Sequence, residues 1–484
     1  MTSSTEQGSE APERRVSGFD RYFEITARGS TLSTEIRGGV VTFVTMAYIV
    51  ILNPIILSSA PDVDGDVLPF AAVSASTSLT AGVMTILFGV IARLPFAFAA
   101  GLGINSFLAA SVVGELTWPE AMGLIVINGL IIVLLAATGL RKLIFDAVPV
   151  ELKLAITVGI GLFIAFVGFV DAGFVTSTGA ASPPITLGVD GSIATIPTLV
   201  FVVTLLLTGV LVARKVRGGM LIGLVSGTVI AIVLESILHL GAATENPGGW
   251  GLSVPSLPTQ LVAWPDLSLV GQVDLLGSFQ RVGGIAAFMF VFTLVFTNFF
   301  DAMGSFTGLS REAGLADEHG NFPRLRQALL VEGFGAIAGG ATSSSSSTVF
   351  IESGSGIGEG ARTGVANLVT GLLFFIGMFF TPLVSIVPTE VAAAALVIVG
   401  AMMMSQIARI ELVDFTVLLP VFLTIAVMPL TYSIANGIGA GFISWVVIRT
   451  AAGKGRAISP ILWVVAAGFV IFFARGPIES LLGL

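Results

Sequence analysis

Three carboxylates sit inside long apolar stretches of this 484-residue chain, and none has a Lys or Arg within five residues on either side. Asp301 closes the run Phe288–Phe300, where Thr297 and Asn298 are polar but uncharged neighbours; Glu332 lies within another apolar segment; Glu352 follows a run of serines, Ser343 to Ser347. An ionisable group at membrane depth is costly and marks function by default. A buried carboxyl with no cation beside it can hold a proton near neutral pH and release it when its surroundings change. That is the chemistry of a proton-coupled carrier. The ionised form also accepts hydrogen bonds from N–H donors of a neutral ligand, and the protonated form donates one. Asn105, in Ala99-Ala100-Gly101-Leu102-Gly103-Ile104-Asn105-Ser106-Phe107, is a further polar group in a Gly-interrupted apolar stretch. Ser106 and Ser353 adjoin Asn105 and Glu352 and join the candidate ligand contacts. Phe107, Phe300 and Phe350 flank the polar positions and suit a planar ligand. The blander alternatives are that Asp301 only caps a helix end, that Glu332 is a structural hydrogen-bonder, that Asn105 satisfies broken backbone, and that phenylalanine is lipid-facing filler. Glu115, Glu151, Asp171, Glu235 and Glu390 lie near predicted helix ends and read as solvated or capping groups.

Other chemistries are excluded by supply. There is no cysteine, which removes disulfides, thiolate catalysis and Cys-based metal sites. The two histidines, His239 and His319, both lie outside the middle of apolar spans, so a histidine proton relay is not expected. No cofactor and no metal are expected; the coupling ion is read as a proton.

The elements that must position these groups follow from composition. The chain is 55% hydrophobic and 11% charged, against roughly 25% charge in an average soluble domain. This excludes a soluble globular protein, a disordered chain and a nucleic-acid binder. Continuous apolar runs, rather than alternation, exclude a transmembrane β-barrel. The net charge of −8 says little about partners, because most of the chain meets lipid. Apolar segments 1 to 14 fall at 37–58, 67–92, 96–114, 119–140, 148–170, 195–213, 218–240, 281–303, 325–341, 348–360, 361–385, 390–408, 412–432 and 434–450. The expectation is therefore an all-α polytopic membrane protein. Its N-terminus is placed in the cytoplasm by Arg14, Arg15, Arg21, Arg28 and Arg37. Every even-numbered segment exits into basic residues: Arg93; Arg141 and Lys142; Arg214, Lys215 and Arg217; Arg311, Arg324 and Arg326; Arg362; Arg409; Arg449, Lys454 and Arg456. The odd exits 59–66, 171–194 and 241–280 carry no Lys or Arg. Residues 1–28 read as a disordered cytoplasmic tail without the apolar core of a signal peptide, and 22–35 as a short interfacial segment. A further apolar stretch, 459–474, either spans or lies along the membrane.

Segments 1–7 and 8–14 read as an inverted repeat, since an odd number of helices per half forces opposite orientation. Segments 3 and 10 are broken at matching places. Asn53 precedes Asn105 by almost the same interval as Asp301 precedes Glu352, so the two halves share one frame. Irregular backbone at membrane depth needs protein or a cavity to satisfy it. The expected geometry is an extended piece followed by a half-helix, once per repeat, with free N–H groups near the membrane centre. The plain alternatives are close helix packing through small residues and, for Ser343–Ser347, a flexible linker.

The sequence resembles the adenine/guanine/hypoxanthine permeases, the AzgA-like branch of the nucleobase:cation symporter (xanthine/uracil permease) family, from about residue 22 to 474. The marks are Gly29-Ser30-Thr31 with Thr34-Glu35-Ile36; Thr45-Met46-Ala47-Tyr48-Ile49 with Asn53-Pro54; Leu94-Pro95-Phe96-Ala97 with Gly101-Leu102-Gly103-Ile104-Asn105; Phe300-Asp301-Ala302-Met303-Gly304; Ile351-Glu352-Ser353; Gly360-Ala361-Arg362-Thr363-Gly364; and Met428-Pro429-Leu430-Thr431-Tyr432-Ser433-Ile434-Ala435. The resemblance implies fourteen helices in two inverted repeats, a core domain of helices 1–4 and 8–11 (29–140 and 281–385) and a gate domain of helices 5–7 and 12–14 (148–240 and 390–450). It implies substrate held between them against broken helices 3 and 10, with the family's recognition residues falling on Asn105, Asp301 and Glu352. The implied activity is proton-coupled purine uptake across the plasma membrane. The chain departs from the family pattern at Asn298, usually Asp; at Met303-Gly304-Ser305, usually Thr-Gly-Thr; at Ser343–Phe350, usually Gly-Thr-Ser-Thr-Val-Thr-Thr-Tyr; and at Ala100, usually Pro. These positions surround the site and leave the preferred purine and the coupling ion open.

The combined expectation is a purine-base:proton symporter for hypoxanthine, guanine or adenine. Ser106, Phe107, Phe350 and Ser353 stand beside Asn105, Asp301 and Glu352 at the substrate. Glu352, Asp301 or Glu332 carries the proton. The lipid bilayer and the purine base are the partners, and a second copy is carried as a candidate because dimers are common in the wider family. The rivals are a uracil or xanthine permease, a sulfate-type anion carrier of the same fold, an intramembrane enzyme and a channel. Unpaired carboxylates disfavour anions. The lack of a paired catalytic His, Cys or metal cluster disfavours an enzyme, and saturable, gradient-driven flux would exclude a channel.

Overall fold

The computed structural model describes residues 17–138, 147–180, 182–189, 191–251, 253–258, 260–316 and 322–474. Residues 1–16 of the expected tail, Arg141, Lys142, His319 and the side chain of Phe300 lie outside that description. Nine helices among the described residues are long and apolar enough to cross a membrane: Leu32–Ser58, Phe70–Ile91, Trp118–Thr138, Val150–Asp171, Ile196–Ala213, Gly219–Leu238, Val365–Val384, Thr389–Arg409 and Ile434–Ala451. They are segments 1, 2, 4, 5, 6, 7, 11, 12 and 14. Segments 8 (Gly283–Glu312), 9 (Leu325–Ala341) and 13 (Phe415–Leu430) are helical too. Segments 3 and 10 are broken. In each, a three-residue strand leads into a six-residue helix: β1 (Phe98–Ala100) into Leu102–Phe107, and β4 (Ser347–Val349) into Ser353–Gly358. A π-helical turn, Leu108–Val112, extends the first of these. Two further strands, β2 (Val175–Ser177) and β3 (Ile185–Leu187), form a hairpin after segment 5.

The inverted repeat is visible in which helices touch. Segment 4 packs on 9, as its counterpart 11 packs on 2. Segment 5 packs on 13, as 12 packs on 6. Segment 1 packs on 11, as 8 packs on 4; segment 6 packs on 7, as 13 packs on 14. Exchanging the halves maps each contact onto another. Strands β1 and β4 pair antiparallel, with Ala99 opposite Thr348 at the centre, so the dyad runs through the two breaks. At the crossing of segments 4 and 9 the backbones themselves meet. A Cβ on Gly129 would stand 2.6 Å from the Ile337 amide nitrogen, and one on Gly333 2.8 Å from that of Val133. In lipid, such contact through small residues replaces the hydrophobic drive that is missing between apolar helices.

The loop chemistry sorts to two faces. Arg28, Arg93 and Arg324, from the N-terminal stretch and the exits of segments 2 and 8, meet at Glu24. Burial pushes the Glu24 carboxyl up, but the Arg28, Arg324 and Arg93 guanidiniums outweigh it and hold it below its usual value. Arg28 also donates to the Arg362 carbonyl at 3.1 Å. Arg37 and Arg217, after segment 6, both pair with Glu359. The basic exits of segments 2, 6, 8 and 10 thus share one face with the N-terminal stretch. The loops after segments 1, 3 and 7 meet elsewhere, where Arg281 pairs with Asp64 and Glu120.

Three expectations change. Segment 8 does not stop at residue 303: its helix runs to Glu312, so Asp301 lies well inside it. Ser17 caps a short helix, Gly18–Phe23, and Phe23 and Ile25 bury against Val365, so order begins well before residue 28. The stretch 459–474 forms a 14-residue helix, Pro460–Phe473, reaching only about 21 Å at 1.5 Å per residue against a core of about 30 Å. It packs on segments 8 and 14, with Phe469 edge-on to Phe292 and Phe442.

Candidate functional site

The two breaks hold each other. Beyond the strand pair, the Gly101 amide donates to the Ser346 carbonyl and the Phe350 amide to the Ala97 carbonyl, both at 2.9 Å. Backbone groups that a helix would have satisfied are therefore satisfied across the dyad, as membrane depth requires. Because the strands are antiparallel, the two half-helices start at opposite ends of the pair, about 10 Å apart at 3.4 Å per residue. The run Ser343–Ser347 is not a linker: every residue in it is buried. Ser343 and Ser345 adopt left-handed φ values of 55° and 66°. A left-handed residue with a side chain carries about 1–2 kcal/mol of strain. The resemblance puts glycine at position 343, which needs no such strain. Ser343→Gly is therefore expected to stabilise the fold by about 0.5–1 kcal/mol, after the entropy of the freer unfolded glycine is subtracted. A rise in melting temperature of the purified protein checks it; no change or a fall would show that the serine is unstrained in place.

Glu352 is the last residue before the half-helix Ser353–Gly358 and is half-buried. Its Oε1 accepts a short hydrogen bond from the Tyr48 hydroxyl, which reaches it from segment 1. Asp301 is also half-buried. Its position inside a continuous helix removes the capping alternative, and segment 8 packs on the half-helix Ser353–Gly358 that follows Glu352. One turn earlier, Asn298 donates to Ser346 Oγ at 3.0 Å and ties segment 8 to the serine run. Among the described residues, neither Asp301 nor Glu352 pairs with a Lys or Arg.

Asn105 is fully buried and donates through Nδ2 to Asn53 Oδ1 at 2.5 Å. Asn53 in turn donates to Thr77 Oγ1 at 2.7 Å and to the Ser344 carbonyl at 3.0 Å. The Oδ1 of Asn105 and the hydroxyl of Ser106 are buried without hydrogen-bond partners among the described residues. Such groups carry a desolvation cost of about 1–3 kcal/mol each unless something else satisfies them. Phe107 is buried edge-on against Phe290 of segment 8. Phe350 is buried at the end of β4.

Two of the expected site residues bond to the backbone or side chains of the breaks. The Ser353 hydroxyl donates to the Phe350 carbonyl at 2.7 Å and accepts the Ala97 amide at 2.9 Å, so it staples one break to the other. Glu332 is buried in segment 9, where its Oε1 accepts from Thr348 Oγ1 at 2.8 Å, within β4. The groups the sequence reading missed are Tyr48 and the hub role of Asn53. A tyrosine is a rare polar interruption in this chain, with three in all, and Tyr48 alone falls inside an apolar run of segment 1.

The sequence profile Xan_ur_permease, described as Permease family, matches residues 33–440. The guanine/hypoxanthine permease PbuG of Bacillus subtilis is 37% identical over 458 residues, covering 93% of this chain and 98% of that protein. The adenine permease AdeP of Escherichia coli is 36% identical, covering 94% and 95%. Among solved structures, the transmembrane domain of the cyanobacterial bicarbonate transporter BicA superposes with a TM-score of 0.60 at 16% identity, covering 85% of this chain and 97% of that one; SLC26A9 gives 0.57 at 13% identity, covering 90% and 71%. Those two share the fold alone. On the profile match and the full-length relatives, the chain belongs to the xanthine/uracil permease family, in the branch of the guanine/hypoxanthine and adenine permeases.

Proposed function

We propose that this permease imports purine nucleobases by proton symport across the plasma membrane, with its N-terminus in the cytoplasm. The observation that carries the reading is the pair of carboxyls, Asp301 and Glu352, beside a strand-paired break, with no Lys or Arg paired to either among the described residues. Glu352 and Asp301 hydrogen-bond purine N–H groups, and the unsatisfied Asn105 Oδ1 and Ser106 hydroxyl, together with Phe107 and Phe350, complete the pocket. One of the two carboxyls, or Glu332, carries the proton. An anion substrate is disfavoured because two carboxyls and no Lys or Arg would repel it. The test is uptake of labelled hypoxanthine, guanine, adenine, uracil and xanthine into proteoliposomes under an imposed inward proton gradient. Purine accumulation that collapses with the gradient supports the reading. Uracil or xanthine accumulation alone replaces the substrate, and a chemically altered purine would replace transport by catalysis.

Segments 1–4 and 8–11 act as the core and 5–7 and 12–14 as the gate, with alternating access from movement of one against the other. The Glu359–Arg217 pair then bridges core to gate on the basic face, while Glu359–Arg37 stays within the core, at 3.0 Å. Arg217 is 70% exposed, so its pair is worth no more than about 1 kcal/mol. Arg217→Ala is expected to change the maximal uptake rate by roughly two- to fivefold and leave the purine Kd unchanged. An unchanged rate in proteoliposomes would mean that the pair does not break during transport.

A further inference from the structure

The helix of segment 1, Leu32–Ser58, is interrupted by a turn at the point where it meets the site. Its first helix ends at Met46 and its second begins at Ile49. Between them the chain tightens: the Val50 amide donates to the Ala47 carbonyl at 3.1 Å and the Ile51 amide to the Tyr48 carbonyl at 3.0 Å, three residues apart, before the Leu52 amide, also at 3.0 Å from the Tyr48 carbonyl, restores the four-residue spacing. Short 3₁₀ turns inside helices often mark hinges. Tyr48 sits on this turn, 1% exposed, and its hydroxyl donates to Glu352 across the molecule. Thr45, one turn earlier, turns its hydroxyl hydrogen to the Thr42 and Val41 carbonyls at 2.9 and 3.0 Å and stands only 3.4 Å from the Glu352 carbonyl oxygen, so Glu352 lies against this stretch of segment 1 through backbone as well as side chain. Among the described residues, the titratable group bonded to this carboxyl is Tyr48, and Asp301 stands on segment 8, which packs on the same half-helix.

The geometry points to Tyr48 as the positioning residue of the purine site: its phenol holds one oxygen of Glu352 in place, so the turn in segment 1 sets where the ligand-facing carboxyl stands. This rests on the purine reading above. A carboxyl held in one orientation recognises a planar heterocycle at a fixed angle, whereas a freely rotating one loses that preorganisation. A phenol can also turn from donor to acceptor when the carboxyl takes up a proton, so the contact survives both states of Glu352.

The experiment is a double-mutant cycle on the purified full-length protein, with hypoxanthine and guanine Kd as the readout. Tyr48→Phe keeps the ring and removes the hydroxyl. Glu352→Asp keeps the charge but withdraws the carboxyl from the phenol by one methylene. Tyr48→Phe alone is expected to weaken binding about tenfold, the lower end for a lost hydrogen bond to a charged group, and less than threefold in the Glu352→Asp background. Equal losses in both backgrounds would make Tyr48 an independent packing residue and overturn the proposal; so would unchanged binding in the single variant. Where Glu352→Asp binds too weakly to titrate, the same cycle is read on ligand-free melting temperature. Non-additive shifts there, with weakened binding in Tyr48→Phe, sustain the proposal, and additive shifts refute it. A wild type that binds no purine would instead defeat the purine reading on which the proposal stands, a failure visible before any variant is made.

Discussion

Glu352→Gln is expected to abolish gradient-driven purine accumulation while leaving the protein folded. Glutamine matches the shape of glutamate and keeps a carbonyl oxygen for the Tyr48 hydroxyl, so the contact between segments 1 and 10 persists. What disappears is the charge. A hydrogen bond to a charged group contributes about 1.5–3 kcal/mol, so the purine Kd should rise roughly ten- to hundredfold. Accumulation falls further if Glu352 also carries the proton, because a glutamine takes up none. Asp301→Asn separates the two roles. If Asp301 is the proton carrier, that variant still binds purine and exchanges it across the membrane, yet no longer concentrates it. The measurements are Kd on purified protein, and uptake into proteoliposomes with and without a proton gradient. Full accumulation in both variants would make the two carboxyls structural and remove the mechanism.

The membrane segments and both breaks were legible because lipid enforces a simple code. Apolar runs of fixed length mark spans, and small or polar residues inside them mark places where backbone is satisfied otherwise. The frame linking Asn53 to Asn105 and Asp301 to Glu352 was legible for a related reason, since an inverted repeat places equivalent groups at equal intervals. Other features were hidden. Hydropathy stops counting at the first charge, so the continuation of segment 8 past Asp301 through Ser305, Ser310 and Arg311 read as loop. Composition made residues 17–28 look like tail, although Phe23 and Ile25 find Val365 across the molecule. The Tyr48–Glu352 contact joins residues 304 positions apart, and no local pattern announces such a pair. Ser353 beside Glu352 looked like a ligand contact, yet strand pairing across the dyad consumes its hydroxyl.

Asn53→Ala is expected to damage both fold and binding, and the pair of effects can be separated. Asn53 is fully buried and joins three elements: it accepts from Asn105 of segment 3, and donates to Thr77 of segment 2 and to the Ser344 carbonyl before β4. Alanine orphans the Asn105 amide and the Ser344 carbonyl at membrane depth. At about 1–3 kcal/mol for each buried group left unsatisfied, the loss is about 2–6 kcal/mol. That is a large share of the 5–15 kcal/mol that holds a typical domain together. A melting temperature lower by several degrees is expected. Binding suffers for a separate reason: Asn105, no longer held, loses the orientation of the Oδ1 it would present to the purine, and a tenfold or greater rise in Kd follows. Asn53→Asp divides the two effects. Aspartate still accepts from Asn105 but cannot donate to Thr77 or Ser344 when ionised. Stability should therefore fall at least as far as with alanine, while purine affinity of the protein that remains folded recovers toward wild type. Binding equally poor in the Asp and Ala variants would place the fault in the serine run. Wild-type binding in Asn53→Ala would show that Asn105 orients itself, and that the pair of amides linking segment 1 to segment 3 does not reach the site.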